Sequence, residues 1–378
     1  MSKTKSKNIL IISGSGNTIA WFRVEMIKEF IDLGYKAYAL APDISPKSKS
    51  LLDSEGINFI RIKLNRKSLN PFDLLLSALE LIKLYKKINP DIVFSYTHKA
   101  ILASSFASIF FSPNLKHIAM ISGIGHIFYG AKNLEKVKKY FALLALKIAL
   151  NINKLVFFQN QDDLDLFIKL KLVKLYKTKL VNGSGVNLNV FSKQDLPAKP
   201  VFMTMARLLK SKGLIEYAQA AKIVKDKYPS ARFLLYGYPD SHKDSIPEID
   251  IKKKWYSDFG VEYMGFAADP YLAISSSSVF VLLSYNEGTP RVVLEAMSMG
   301  RPIITTDTRG CRETVRDGFN GYLVPLKDSQ IAAQKMELLL EQDLRVKMGE
   351  NSRKYCEKKF DVNKVNKIIL TEVLRLTE

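Results

Sequence analysis

Cysteine is nearly absent from this chain. Cys311 and Cys356 are the only two in 378 residues. They lie far apart and without CxxC or Cys/His spacing, which excludes a disulfide framework or a zinc site and suits a reducing cytoplasm. Both read as packing residues. Long apolar runs are missing too. A membrane-spanning helix needs roughly 18–20 apolar residues, and the richest stretch, 140–150, carries Lys147 in its middle. The basic start of MSKTKSKNILIISGSG leads into only a short apolar run, so a first buried strand is expected there rather than a signal peptide. Repeats and biased tracts are absent, which excludes fibrous and disordered classes. Acids are scarce: 37 Asp+Glu stand against 57 Lys+Arg, a net charge of +20.

What is present is the composition of a globular protein, 47% hydrophobic and 25% charged. The length suits two α/β domains of somewhat under about two hundred residues each. The charge is uneven. Residues 1–190 hold 28 basic and 13 acidic side chains, leaving +15, and 191–378 hold 29 and 24, leaving +5. Such an excess points to an anionic partner: nucleic acid, acidic lipid or a phosphorylated substrate.

In the first half, short apolar runs at 8–13, 36–41, 59–62, 92–95, 117–121 and 155–159 read as strands. Helical stretches are expected at 19–33, 71–88, 101–110, 134–151 and 162–170. Strands alternating with helices imply a parallel sheet covered on both faces. Residues 186–200, with Pro197 and Pro200, read as a linker. Alternation then resumes, with strands at 201–205, 232–236, 261–263, 279–283 and 302–305 and helices at 214–227 and 291–299. Residues 328–378 read as successive helices, with Ile368, Ile369, Val373 and Leu376 at helical spacing.

The most informative segment is 284–300, SYNEGTPRVVLEAMSMG, after the strand at 279–283. Thr289 and Pro290 suit a helix start, as N-cap and first helical residue, and Gly300 a stop. Glu287 then lies in a loop at a strand's carboxyl end beside a helix N-terminus, where the amides of Gly288 and Thr289 can hold anionic or hydroxyl oxygens. Glu295 completes a Glu-x7-Glu spacing, about one and a half turns into the helix. The string EGTPRVVLEAMSMGRPIITTD resembles the glutamate signature of the retaining family 4 glycosyltransferases.

The resemblance runs along most of the chain. FMTMARLLKSKG (202–213) looks like that family's strand and basic loop, in which Arg207 and Lys212 would grip the donor diphosphate and neutralise it as it leaves. Lys210 reads as solvated. SGSGNT (13–18) looks like the glycine loop that lets backbone amides approach donor phosphate or sugar, with Gly16 favoured over Gly14. His98 in SYTHKA and His126 in ISGIGHIF follow strands, where ligands of parallel sheets bind. Either would contact the transferred sugar or the acceptor. Phe266 joins the expected donor-binding set with Gly16, Arg207, Lys212, Glu287, Gly288, Thr289 and Glu295. The catalytic set is Glu287, Arg207, Lys212 and His98. Asp163 and Asp165 form a DxD string that could bind manganese, but it falls in the first turn of an expected helix, where acids are favoured anyway. Metal-independent transfer without a cofactor is therefore expected.

The implied fold is α/β, with two Rossmann-like doubly wound domains facing a cleft, the GT-B type. Residues 1–190 would bind the acceptor and 199–378 the nucleotide sugar, with the final helices, about 360–378, crossing back onto the first domain. By resemblance to bacterial enzymes of O-antigen, capsule and lipid-linked oligosaccharide assembly, such as the α-1,3-N-acetylgalactosaminyltransferase type, the expected reaction is retaining. It would move a hexose or N-acetylhexosamine from a UDP sugar to a polyprenyl-diphosphate-linked saccharide. Basic helical stretches at 133–151 and 169–179, with Lys136, Lys138, Lys139, Lys171, Lys174 and Lys177, would rest on an anionic membrane at the inner face of the cell. Two rivals are an NAD-dependent oxidoreductase, using the glycine turn with Asp43 as ribose acid, and a nonspecific nucleic-acid-binding protein. The latter lacks a recognition helix, a stacking surface or a zinc motif, so no nucleic-acid partner is expected.

Overall fold

The computed structural model describes residues 7–65, 70–112, 115–124 and 133–377, without the side chains of Pro71 and 133–138. The chain forms two compact units, Met1–Ser184 with Asn363–Glu378, and Gly185–Val362.

The first unit runs β1 (Lys7–Ile12), α1 (Gly16–Phe22), α2 (Val24–Asp32), β2 (Tyr35–Ala41), α3 (Pro46–Ser54), β3 (Asn58–Arg61), α4 (Pro71–Ile88), β4 (Ile92–Tyr96), α5 (His98–Ile109), β5 (Lys116–Ile121), α6 (Asn133–Ile152), β6 (Leu155–Phe158), α7 (Gln161–Lys169) and β7 (Thr178–Leu180). Its seven strands order as β3-β2-β1-β4-β5-β6-β7, and every pairing is parallel. The central strands are continuous apolar runs because helices cover both faces. The expected helix at 19–33 is broken at Arg23, whose backbone (φ −130°) leaves the helical region. Arg23 turns inward, its guanidinium 5.2 Å from the Tyr96 ring centre and donating to Met120 Sδ at 2.8 Å.

The second unit runs β8 (Val201–Met205), α8 (Leu214–Lys227), β9 (Arg232–Tyr236), and α9 (Glu248–Asp250), which continues through a π-helical turn (Ile251–Trp255) into α10 (Tyr256–Phe259). It ends with β10 (Val261–Gly265), α11 (Pro270–Ser275), β11 (Val279–Leu282), α12 (Arg291–Ser298), β12 (Ile303–Thr306), β13 (Gly321–Val324), α13 (Ser329–Leu338) and α14 (Gln342–Lys359). The sheet order is β10-β9-β8-β11-β12-β13, again all parallel. Both sheets are doubly wound, as the alternating pattern implied. Order reverses between β1 and β4 in one unit and between β8 and β11 in the other, and ligands of such sheets bind at the carboxyl edge of that reversal.

Residues 186–200 are not a free linker. They are packed into the second unit, with Val186 and Phe191 buried. The fully buried Arg301 donates to the carbonyls of Gln194 (2.6 Å), Asp195 (3.2 Å), Ser275 (3.1 Å), Ser277 (3.1 Å) and Met299 (2.6 Å). Burial pulls its pKa down to about 10. The carbonyls satisfy the guanidinium with no carboxylate ion-paired to it among the described residues, so irregular backbone stays buried at little cost.

The last helix, α15 (Val362–Arg375), rejoins the first unit. Val365, Ile369 and Val373 are buried in the core that holds Ile27, Phe30 and Tyr35, and Glu372 pairs with Lys179 at 2.6 Å. No helix among the described residues is long and apolar enough to cross a membrane. Cys311 and Cys356 are both buried and unpaired, in keeping with a packing role.

Candidate active site

In the second unit the loop after β8 and the loop after β11 flank the reversal of strand order. Lys212 ends a 3₁₀ turn (Lys210–Lys212) that leads into α8, and its ammonium pairs directly with the Glu287 carboxylate. Both side chains are 17% exposed, so one face of the pair remains open. Partial burial strengthens the pair above a surface salt bridge. The loops approach this closely because Gly213, at φ +69°, lies against Leu283, where an added Cβ would stand 2.0 Å from the carbonyl oxygen. Only glycine tolerates both the conformation and the contact. From the far side Glu287 N–H donates to Arg309 O at 3.2 Å.

Arg207 lies five residues before Lys212, in the irregular segment that follows β8, and is 44% exposed. Its Nη1 donates to Asp240 at 2.7 Å. Burial pushes the Asp240 carboxyl up, but Arg207 and the His242 amide outweigh it and hold the group below its ordinary range. Lys210 is exposed. Phe266, 62% exposed, meets Tyr238 edge to face at 5.7 Å between ring centres, at the carboxyl ends of β9 and β10.

Glu295 lies on α12, where Arg291 Nε donates to it at 3.1 Å. Burial raises its pKa above 4.5 despite the arginine. The helix start differs from expectation. Pro290 is the N-cap of α12, and the Thr289 hydroxyl donates to Gly288 O at 2.9 Å. Pro290 is not the first helical residue because its backbone is extended (ψ 107°).

In the first unit a chain of hydroxyls crosses the carboxyl ends of β1 and β4: Ser13 to Thr18 at 3.0 Å and Thr18 to Tyr96 at 3.1 Å. Thr97 follows at φ 70°, which a β-branched residue rarely adopts, and its hydroxyl accepts from Gly14 N–H at 3.2 Å. His98 opens α5, three residues before the expected start. Its Nε2 is buried with no hydrogen-bond partner among the described residues, and burial pulls its pKa down to about 4. It is a neutral imidazole at pH 7.

Close packing requires a glycine at position 16. A Cβ there would stand 2.7 Å from Asp43 O and 2.8 Å from Ile44 Cβ, and the Gly16 amide already donates to Asp43 O at 2.8 Å. The Asp43 carboxylate accepts from Ser15 at 2.6 Å, so it braces this loop, and the ribose-acid reading loses its residue. Asp163 is buried, bonded to the Asn160 side chain at 3.0 Å, and Asp165 accepts from Gln161 at 2.7 Å. The DxD string is thus absorbed by the start of α7. His126 lies outside the described residues. Lys177 is half-buried and donates to Asn151 O and Asn153 O at 2.6 and 3.1 Å, closing the end of α6.

Residues 14–160 match the "Glycosyl transferase 4-like" family and residues 189–355 the "Glycosyl transferases group 1" family. The chain is a glycosyltransferase of these families. It is 27% identical over 360 residues, covering 90% of this chain and 92% of the relative, to the N,N'-diacetylbacillosaminyl-diphospho-undecaprenol alpha-1,3-N-acetylgalactosaminyltransferase of Campylobacter jejuni. The UDP-Gal:alpha-D-GlcNAc-diphosphoundecaprenol alpha-1,3-galactosyltransferase of Escherichia coli is 27% identical, with 77% of each chain covered. Among solved structures, Anabaena HepE in complex with UDP superposes with a TM-score of 0.77 at 19% identity, covering 97% of this chain and 100% of that one. Arg207, Lys212, Glu287 and Glu295 of this glycosyltransferase all lie in the group 1 region. Asp240 and Gly213 were missed in its sequence, although Asp240 sits in a Pro-Asp turn after a strand, a usual ligand position.

Proposed function

We propose that this enzyme transfers a hexose or N-acetylhexosamine from a UDP sugar to a polyprenyl-diphosphate-linked saccharide, with retention of configuration, in surface-glycan assembly. The observation that carries this reading is the open-faced Lys212–Glu287 pair at the strand-order reversal of the second sheet, with Arg207 on the same loop as Lys212. Two cations on one loop suit a diphosphate whose charge grows as the sugar bond breaks. An arriving diphosphate draws Lys212 toward itself and frees Glu287 to accept from a sugar hydroxyl. Glu295 holds the ribose, and Gly288, Thr289 and Phe266 border the donor. Retention places the attacking hydroxyl on the face from which the diphosphate departs. His98, neutral and with a buried free nitrogen, suits a hydrogen bond to a sugar hydroxyl. The lipid-linked acceptor and UDP come by analogy with the Campylobacter, Escherichia and Anabaena relatives.

No metal or cofactor is required in this scheme, because the cations do the charge neutralisation that a bound metal would otherwise supply. The enzyme works in the cytoplasm, peripheral to the anionic inner face of the membrane. Phe72, Leu75, Leu76 and Leu79 on α4 and Tyr140, Phe141, Leu144 and Ile148 on α6 are exposed, together with Lys83 and Lys147, and both helices contact α5. Apolar side chains flanked by lysines favour acidic lipid.

The test is a thermal-shift panel of UDP, GDP, TDP and ADP sugars, followed by turnover of the winner with a polyprenyl-diphosphate saccharide, with and without EDTA. A UDP sugar should stabilise the protein and be consumed at an unchanged rate in EDTA. Stabilisation by none of the four, or loss of turnover on chelation, defeats the corresponding part of the proposal.

A further inference from the structure

Lys212 and Glu287 meet only if two separate loops hold a fixed register, and the residues that fix it lie outside the expected site. Tyr285, two residues before Glu287, donates its amide to Ser211 O at 2.9 Å. Its hydroxyl reaches across to α8 and donates to Glu216 Oε1 at 2.6 Å. Glu216 sits in the first turn of α8, four residues past Lys212, and is buried. Its second oxygen, Oε2, is buried without a hydrogen-bond partner among the described residues. A buried carboxylate is costly unless hydrogen-bonded, and Tyr285 is the side-chain donor that meets Glu216 among the described residues. Above the Tyr285 ring stands the Lys327 ammonium, 5.0 Å from its centre.

We propose that Tyr285 and Glu216 are positioning residues, a strut that sets the Glu287 loop against Lys212. It joins the Glu287 loop to the start of α8, four residues past Lys212, so it fixes the pair's spacing without touching substrate. Burial, then the neighbouring Glu216 carboxylate, push the Tyr285 hydroxyl above its ordinary range, so it stays a donor at any working pH. The role in turnover rests on the transferase reading above, whereas the ordering of the loop does not.

Two readouts separate these dependencies. Hydrogen exchange of the 284–290 peptide reports loop order whatever the reaction. Turnover of the donor reports the consequence. Tyr285→Phe and Glu216→Leu should each speed exchange in that peptide and lower kcat by roughly tenfold, the effect of losing one charge-assisted hydrogen bond. The thermal midpoint should stay within a few degrees, and the double variant should be no worse than the poorer single. Glu216→Gln, whose amide oxygen accepts the same hydrogen bond, should recover most of the loss seen in Glu216→Leu. Unchanged exchange and kcat in Tyr285→Phe, or equal losses in Glu216→Gln and Glu216→Leu, overturn the strut. If the wild-type chain turns over no sugar nucleotide, the transferase reading has failed, and exchange alone then decides the strut.

Discussion

Arg207 donates to Asp240 across the carboxyl ends of neighbouring strands β8 and β9, at 2.7 Å and with the arginine 44% exposed. An ion pair this open contributes about 0–1 kcal/mol to stability. Arg207→Ala should therefore leave the thermal midpoint nearly unmoved while lowering kcat by roughly a hundredfold or more, the usual effect of deleting a preorganised charge at a developing anion. A loss of folding that parallels the loss of activity would falsify the functional assignment of this arginine.

The more enclosed pair behaves differently. Lys212→Met leaves the Glu287 carboxylate half-buried and uncompensated, so that variant should be both inactive and less stable. Adding Glu287→Gln should restore stability but not activity, because removing both charges avoids the penalty of one. Calorimetry on the three proteins checks this, and a double variant less stable than the single contradicts it.

Glu295 carries a pH signature. Burial raises its folded pKa above the ordinary 4.5, so the folded state binds the proton more tightly than the unfolded one. The group opposes folding above its folded pKa, and that opposition fades as pH falls toward 4.5. Arg291→Met should destabilise the protein at pH 7 and by less near pH 5. Denaturation at the two pH values measures it, and an equal penalty at both rejects the assignment.

His98 and His117 act in the opposite sense. Burial pulls both down to about 4 from 6.5, so the unfolded chain binds protons that the folded one refuses. Stability should decline as pH falls from about 6.5 and level off below about 4. His98→Asn should flatten part of that slope in urea titrations. A slope unaltered by this replacement would show that the His98 ring is not held neutral by burial.

Membrane contact is tested on α4 and α6. Phe72→Ser, Leu76→Ser and Phe141→Ser should each weaken binding to acidic vesicles in sedimentation by roughly tenfold or more, since each loses about 1.5–3 kcal/mol of apolar burial. Binding that is equal on neutral and acidic vesicles removes the electrostatic half of the proposal.

The layered architecture was readable because buried parallel strands such as 201–205 and 232–236 are continuous apolar runs between helical stretches, and those bounds agree with the structure. Elements that hold no such contrast escaped: β13 and α11 are four and six residues long, and α3 is mostly polar. The break at Arg23 was illegible because a charged side chain in a helical pattern reads as solvated, and its inward turn depends on the Tyr96 ring from a distant strand. In the site, the basic loop and the glutamates were visible as local strings. The contact of Gly16 with Asp43 was invisible because it joins two segments 27 positions apart, and Glu216 was invisible because its partner is 69 positions away.

Helix α15 supplies Val365, Ile369 and Val373 to a core otherwise built from residues before 184. During synthesis the nascent first half must therefore wait, with an uncovered apolar groove, until the whole of the second unit has left the ribosome. Shielding of that groove by a chaperone, and sensitivity of yield to any stall in translation between the two, follow from the order in which the chain is made.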